Sequence, residues 1–355
     1  MNLFCIPLTY SYFCNMNQAL VDVSVLILFF NRPEPLKKVF AAIREARPAR
    51  LYLYQDGPRN AQDLPGMEAC RRVLSDGNID WQCDVRRNYQ TVNAGCDPSN
   101  FNAQKWAFSL SDKVVIFEDD SIPSVSFLRF CKEMLDRYEN DERIAMISGF
   151  NIEEQTPDVK EDYFFTTNFS IWGWASWRRV IDQWDEHYTW MDDPQTIAQL
   201  KAMIRERGYS DDFLPMCTQH RASGKAFYET IFWSHILRNN QLCIIPRRNM
   251  INNLGAIADS THFGGTLETL PHGYRRIFTM KRFELERQIQ HPAHIIEHVA
   301  YRKRAYKIMG WMNPTIKIGR SFEELFLNLR YGNFSFILQS INKRILKWMG
   351  KKAYK

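Results

Sequence analysis

Apolar positions along this chain alternate between continuous runs and the i, i+3, i+4 spacing of helices, and that alternation sets out a fold. Residues 23–30 form an apolar run broken only by Ser24, which suits a strand buried on both faces. Asn31-Arg32-Pro33-Glu34-Pro35 breaks the run, after which Leu36, Val39, Phe40 and Ile43 recur at helical spacing. A second strand over 51–55 ends at Asp56-Gly57-Pro58, and a helix through Met67, Cys70, Val73 and Leu74 follows. The pattern then predicts a more polar strand over 79–85, a helix near 102–110, a strand over 114–117, an amphipathic helix over 124–138 and a strand over 144–148. Strands alternating with helices imply right-handed crossovers and a parallel sheet, an α/β class. Beyond residue 150 the pattern loosens. Strands are expected at 163–167 and 242–245, an aromatic stretch at 172–177, and helices near 194–207, 211–222 and 229–239.

Composition adds little until it is split along the chain. The net charge is +6, but residues 301–355 hold 13 Lys and Arg against Glu323 and Glu324, so the first 300 residues carry −5. Apolar residues such as Leu325, Leu329, Phe334, Leu338, Ile341 and Trp348 interleave with lysines there. This is the pattern of an interfacial amphipathic element facing an anionic membrane, or of a packed terminal helix with a solvated lysine face. A nucleic-acid partner is not expected, since no recognised nucleic-acid motif accompanies the charge. No run of about 20 apolar residues is present to make a spanning helix. The eight cysteines form no C-x-x-C pair and read as reduced thiols of a cytoplasmic protein, peripheral at most on the inner face of the cell membrane. Residues 1–21 lack charge and lack a signal peptide's clean apolar core, so they read as a disordered leader, or as a start placed too early with Met16 the true one.

The densest chemistry lies at Val114-Val115-Ile116-Phe117-Glu118-Asp119-Asp120, where three consecutive carboxylates follow a buried strand. Adjacent anions repel, and desolvating them is costly unless a cation compensates. Ligands of open parallel sheets bind beyond the carboxyl ends of strands. One carboxylate can be a helix cap, but a cap does not account for three. A hard divalent cation carrying a diphosphate accounts for all of them.

An ordered set of motifs is more specific. Phe29-Phe30-Asn31-Arg32-Pro33, Gln55-Asp56-Gly57 and Ile116-Phe117-Glu118-Asp119-Asp120-Ser121-Ile122-Pro123 come first. Phe127-Leu128-Arg129-Phe130-Cys131, Asp141-Glu142-Arg143 and Ile147-Ser148-Gly149-Phe150-Asn151 follow. Ile171-Trp172-Gly173-Trp174-Ala175-Ser176-Trp177, Asn253-Leu254-Gly255 and Ser260-Thr261-His262 complete the set. Over roughly residues 22–265 the chain resembles bacterial GT-A glycosyltransferases of the nucleotide-diphospho-sugar transferase superfamily, and more distantly the N-acetylglucosaminyltransferase I family.

The resemblance implies a Rossmann-like GT-A fold with a helical basic C-terminal extension, a nucleotide-diphosphate sugar (a UDP-sugar or similar) as donor, Mn²⁺ or Mg²⁺, and a glycan or lipid-linked acceptor. It divides the chain into a leader (1–21), a nucleotide-sugar-binding half (22–150), an acceptor-binding half (151–275) and the extension (276–355). Asp120 matches the metal ligand, Asp119 a contact to ribose or donor sugar, Asp56 a contact to the base and Arg32 a cation near the diphosphate, while Glu118 completes the acidic cluster. His262 matches a late histidine on metal or diphosphate. Trp174 and Trp172 offer sugar-stacking faces beside Gly173, or else form a half-buried strand. The family's W-D-Y-x-W element corresponds to Tyr228-Glu229-Thr230-Ile231-Phe232-Trp233, with Glu229 in place of the Asp that acts as base in inverting relatives. A non-catalytic carbohydrate-binding or membrane scaffold is the alternative. A sugar nucleotidyltransferase is disfavoured because no glycine-rich triphosphate loop follows the first strand.

Overall fold

The computed structural model describes residues 17–208, 212–255, 267–286, 288–310 and 314–348, the side chains of 343–348 excepted. The apolar run at the start forms β1 (Val21–Phe29), and Pro33 at the first turn opens α1 (Pro33–Ala46). Next come β2 (Pro48–Gln55), α2 (Leu64–Val73), β3 (Asp84–Tyr89), α3 (Cys96–Leu110) and β4 (Lys113–Glu118). A short β5 (Ser121–Pro123), α4 (Phe127–Arg137) and β6 (Ile144–Ser148) follow. The later half supplies β7 (Tyr163–Thr166), β8 (Trp174–Trp177), α5 (Arg178–Ile181), α6 (Pro194–Arg207), α7 (Phe213–Ser223) and α8 (Tyr228–Arg238). It ends with β9 (Leu242–Pro246), β10 (Ile251–Asn253), α9 (His272–Thr279), α10 (Val299–Met309), α11 (Pro314–Arg330) and α12 (Phe334–Trp348).

Eight strands make one sheet in the order β3-β2-β1-β4-β8-β6-β9-β7. β3, β2, β1 and β4 are parallel, β8 runs antiparallel between β4 and β6, and β7 lies antiparallel on β9. This is the expected α/β class, a mostly parallel central sheet flanked by helices, with a helical basic extension. From β1 the chain travels outward to β2 and β3, then returns to the other side of β1 as β4. That reversal opens a crevice at the carboxyl ends of β1 and β4, the place where open α/β sheets bind ligands. The register levels those ends, with Leu28 opposite Glu118 and Phe29 opposite Gln55.

The core sits on both faces of the central strands. Val25, Leu26, Ile27, Val114, Val115 and Phe117 are fully buried, and Leu36, Val39, Phe40 and Ile43 of α1 pack onto the same cluster. The segment over 79–85 is the main departure from the pattern. Its apolar residues Ile79 and Trp81 are buried but are not positions of the strand: Trp81 is a plug against Phe40 of α1 and Pro48 of β2, and the edge strand β3 begins only at Asp84. An edge strand with a solvated side carries no apolar run, so the burial signal fell on the plug instead. The expected tail is helical, but the stretch joining it to the sheet is extended and closely attached. Glu284 accepts from the backbone N–H groups of Val125 and Ser126 at the start of α4, and Phe283 N–H donates to Asn249 O. The six described cysteines are free.

Trp81 is completely buried, and its Nε1–H donates to Pro48 O at 2.7 Å. Trp81→Ala is expected to cost about 3–5 kcal/mol in denaturant unfolding, the range for deleting a buried large aromatic.

Candidate functional site

Each wall of the crevice follows from a strand end. β1 stops at Phe29 and Pro33 opens α1, which leaves Arg32, the residue before the helix, at the mouth. Its guanidinium spans two consecutive carboxylates from β4's end. It donates through Nε to Asp119 Oδ2 at 3.3 Å, through one terminal nitrogen to Asp119 Oδ1, and through the same nitrogen to Asp120 Oδ2 at 3.0 Å. Asp119 and Asp120 are both buried. Burial works against the charge on Arg32, but the two carboxylates outweigh it and hold the pKa above the ordinary arginine value.

Glu118 stands next to this clamp but outside it. Burial, then repulsion from Asp120, Glu229 and Asp119, pushes its carboxyl well above the usual range, and the Tyr228 hydroxyl donates to it at 3.3 Å. Burial also raises Asp119, and Arg32 offsets this only in part. Three carboxylates against one guanidinium leave the cluster short of positive charge.

Asp120 is fixed from the far side by the β5–β10 pair. Leu254 N–H donates to Asp120 O at 2.7 Å, and Asn253 Nδ2 approaches Asp120 Oδ1 at 3.5 Å. A side chain at position 255 would put its Cβ 2.7 Å from Asn253 Oδ1 and 2.9 Å from Asp120 Oδ2. Gly255 thus keeps the carboxylate free to face the crevice, which gives Asn253-Leu254-Gly255 its physical meaning.

Asp56, at the end of β2, is a loop organiser. It accepts from Gly57, Ala94 and Gly95 N–H and from Asn93 Nδ2 at 2.9–3.1 Å. The loop comes so close that a Cβ at Gly57 would sit 2.4 Å from Val92 C, so only glycine fits. Asp56, Arg32, Glu118 and Asp119 line one cleft of about 330 Å³ with Tyr54 and Arg59. Arg59 lies 5.0 Å over the Phe30 ring and brings a second cation, anchored by Asp63. Asn100 Oδ1 is buried on the same wall without a hydrogen-bond partner among the described residues. Asn93, Asn100 and Arg59 carried no signal in the sequence, because single polar residues in loops and helices are common.

Glu229 occupies the first turn of α8, half-buried and near enough to Glu118 to repel it. Burial is the main cause that pushes its carboxyl up from 4.5 to about 7, and Asp97 adds to it. The start of α8 is held by Thr230, which shares hydrogen bonds with Tyr188 Oη at 2.6 Å and His220 Nδ1 at 2.8 Å.

One expected member is not in this assembly. Trp174 is 1 % exposed, locked in β8 between two neighbouring strands with its ring 5.3 Å from Phe232, so it is core and offers no sugar a face. Trp177 is core as well. The half-buried Trp172, edge-on to Phe150 at 4.8 Å, is the more accessible ring of the three. His262 lies outside the described residues.

The donor chemistry of the cluster fits a hard divalent cation. It offers carboxylate oxygens, an uncompensated negative charge and a glycine-lined approach to Asp120. Among the described residues no three His, Cys, Asp or Glu side chains converge as a ready ligand set. Asp120 is the residue that could hold such an ion.

No protein-family model and no curated protein matches the chain. Solved structures with a distant likeness include mouse xyloside xylosyltransferase 1 in its apo form (11 % identity, 61 % of this chain and 81 % of that chain, TM-score 0.34). A UDP-glucose pyrophosphorylase complexed with UDP-glucose matches at 6 % identity over 64 % of this chain and 91 % of that one, TM-score 0.31. A UTP-bound UGPase from Acinetobacter baumannii matches at 8 % identity over 65 % and 88 %, TM-score 0.33. At these TM-scores the likenesses carry no functional weight, and the site's own geometry is what counts.

The raised carboxyls have a consequence for stability. Unfolded, Glu229 ionises near 4.5; folded, it keeps its proton to about 7. The folded state therefore binds more protons in that window, and stability falls as pH rises through it. Glu118 acts in the same direction. In thermal melts the metal-free protein is expected to lose stability between pH 5 and 8, and Glu229→Gln to flatten that loss and raise the melting temperature at pH 8. A wild-type profile flat over this range would contradict the buried, protonated carboxyl.

Proposed function

We propose that the protein is a glycosyltransferase that moves a sugar from a nucleotide-diphosphate sugar, a UDP-sugar first among the candidates, to a hydroxyl of a glycan or lipid-linked acceptor, with inversion. One observation carries this reading. At the reversal of strand order, a guanidinium-clamped carboxylate cluster shares its surroundings with a carboxyl whose pKa is shifted to about 7. A leaving diphosphate needs fixed positive charge, and an attacking hydroxyl needs a base poised near neutrality.

In this scheme Arg32 stabilises charge developing on the departing diphosphate. The loop organised by Asp56, with Arg59 and Asn100, shapes the nucleoside end of the cleft. Asp119 orients ribose or donor sugar, and Asp120, with His262 from outside the described residues, would hold Mn²⁺ or Mg²⁺. The ion, when bound, supplies Lewis-acid charge to the diphosphate. Glu229 takes the proton as the acceptor oxygen bonds to the anomeric carbon and the bond from that carbon to the diphosphate breaks. Glu229, one methylene longer than the family's Asp, reaches from a half-buried position on the first turn of α8.

Slow release of nucleoside diphosphate from a panel of UDP-sugars, measured by chromatography, is expected with Mn²⁺ and is expected to vanish in Asp120→Ala. Failure of every nucleotide sugar to bind or hydrolyse would favour the non-catalytic scaffold. With an acceptor in hand, Glu229→Gln is expected to lower transfer by about 10²–10⁴-fold, the usual contribution of a general base, while donor binding persists. Transfer rate should climb with pH through an apparent pKa near 7 as Glu229 ionises. A pH profile unchanged by Glu229→Gln would remove that residue from the base's role.

A further inference from the structure

The C-terminal hairpin of α11 and α12 has no part in the cleft, yet it carries a feature that demands a partner. Nine of the fifteen large apolar side chains recorded as exposed among the described residues fall between Ile318 and Ile341. On α11, Ile318, Phe322, Leu325, Phe326 and Leu329 recur on one face. On α12, Phe334, Leu338 and Ile341 do the same. Phe322 is 68 % exposed and Leu338 67 %, which no folding argument rewards.

Another side of α11 is already spoken for. The Arg320 guanidinium lies 4.5 Å over the Tyr274 ring and donates to Ile308 O, and Glu323 accepts from His272 N–H at 2.8 Å. These contacts latch the hairpin to α9 and α10 and leave the apolar stripe facing solvent. The latch also places the hairpin relative to the cleft, since α9 packs on β10 and β10 pairs with β5 directly after Asp120.

Charge decides what covers the stripe. Residues 314–355 hold nine Lys and Arg against Glu323 and Glu324, an excess of +7. A second copy would bring like charge against like charge. An anionic lipid surface matches the charge and accepts an apolar stripe without demanding a complementary shape. No described helix is long and apolar enough to cross a bilayer, so the hairpin would lie in the interface. We propose that the α11–α12 hairpin is a membrane-docking element that inserts its apolar stripe into an anionic bilayer surface beside the mouth of the cleft. This goes beyond the transferase reading and does not rest on it.

The test is co-sedimentation of the full-length chain with vesicles of phosphatidylglycerol and phosphatidylethanolamine, against vesicles of phosphatidylcholine alone. The wild type is expected to pellet several-fold more with the anionic vesicles, and less as salt is raised. The paired substitution Phe322→Asp and Leu338→Asp, at exposed positions, is expected to abolish pelleting and leave the melting temperature unchanged. Lys317→Glu with Arg330→Glu should weaken pelleting on anionic vesicles only. The proposal is overturned if the wild type stays in solution with anionic vesicles, or if the Asp pair pellets like wild type. It is overturned equally if size-exclusion chromatography shows a dimer that the Asp pair disperses while vesicles bind nothing. Nucleotide binding, scored separately, reports on the cleft and not on the hairpin.

Discussion

Three consecutive carboxylates at the end of a buried central strand are electrostatically untenable alone, and the site is organised around that constraint. The guanidinium of Arg32 bridges Asp119 and Asp120, and the register of β1 against β4 is what brings it there. Charges that follow one strand can meet charges that follow the next only if the two strands end level, as Leu28 and Glu118 do. The hydrophobic core therefore fixes the ionic geometry, since a slip of one residue in either strand would move these strand ends out of level.

One arginine is not enough, and the remainder of the imbalance explains the chemistry. Glu118 and Glu229 are pushed toward their neutral forms by burial and by the acids around them. A cationic ligand would relieve that repulsion, so stability and ligand affinity are linked through the same carboxylates. The supports around the cluster are backbone-level. Gly255 and Gly57 are positions where a Cβ would collide with Asn253 and Asp120, or with Val92. Asp56 spends its carboxylate on holding the loop 93–95, so in the proposed function it would act on a nucleoside through that loop's shape.

Much of this was legible in the chain. The β1, β4 and β6 runs and the helix of Phe127, Phe130, Cys131 and Met134 are strong apolar patterns, and they appear within a few residues of the positions expected from them. Arg32, Asp56, Glu118 and Asp119 line one cleft because each ends or follows a strand of the same parallel group. What the pattern could not show depends on tertiary context. Trp81 carried strand-like hydrophobicity but is a plug beside an edge strand. Trp174 alternates with Trp172 around Gly173, yet burial of the antiparallel β8 between β4 and β6 turned it into core. The β5–β10 pairing joins residues about 130 apart in sequence and leaves no local trace. The basic tail showed its amphipathic character from composition, but only the latch through Arg320 and Glu323 reveals which face is free.

The claim on which the rest stands is that Arg32 and the acidic cluster form the seat of a nucleotide diphosphate. Titration calorimetry of UDP and other nucleoside diphosphates in excess Mg²⁺, with wild type and folded Arg32→Met, tests it most directly. Saturable binding of one equivalent to the wild type, weakened by about tenfold or more in the variant, is the predicted result, a loss of at least about 1.4 kcal/mol. Equal affinity in the two proteins, or no binding of any nucleoside diphosphate to the wild type, would contradict it.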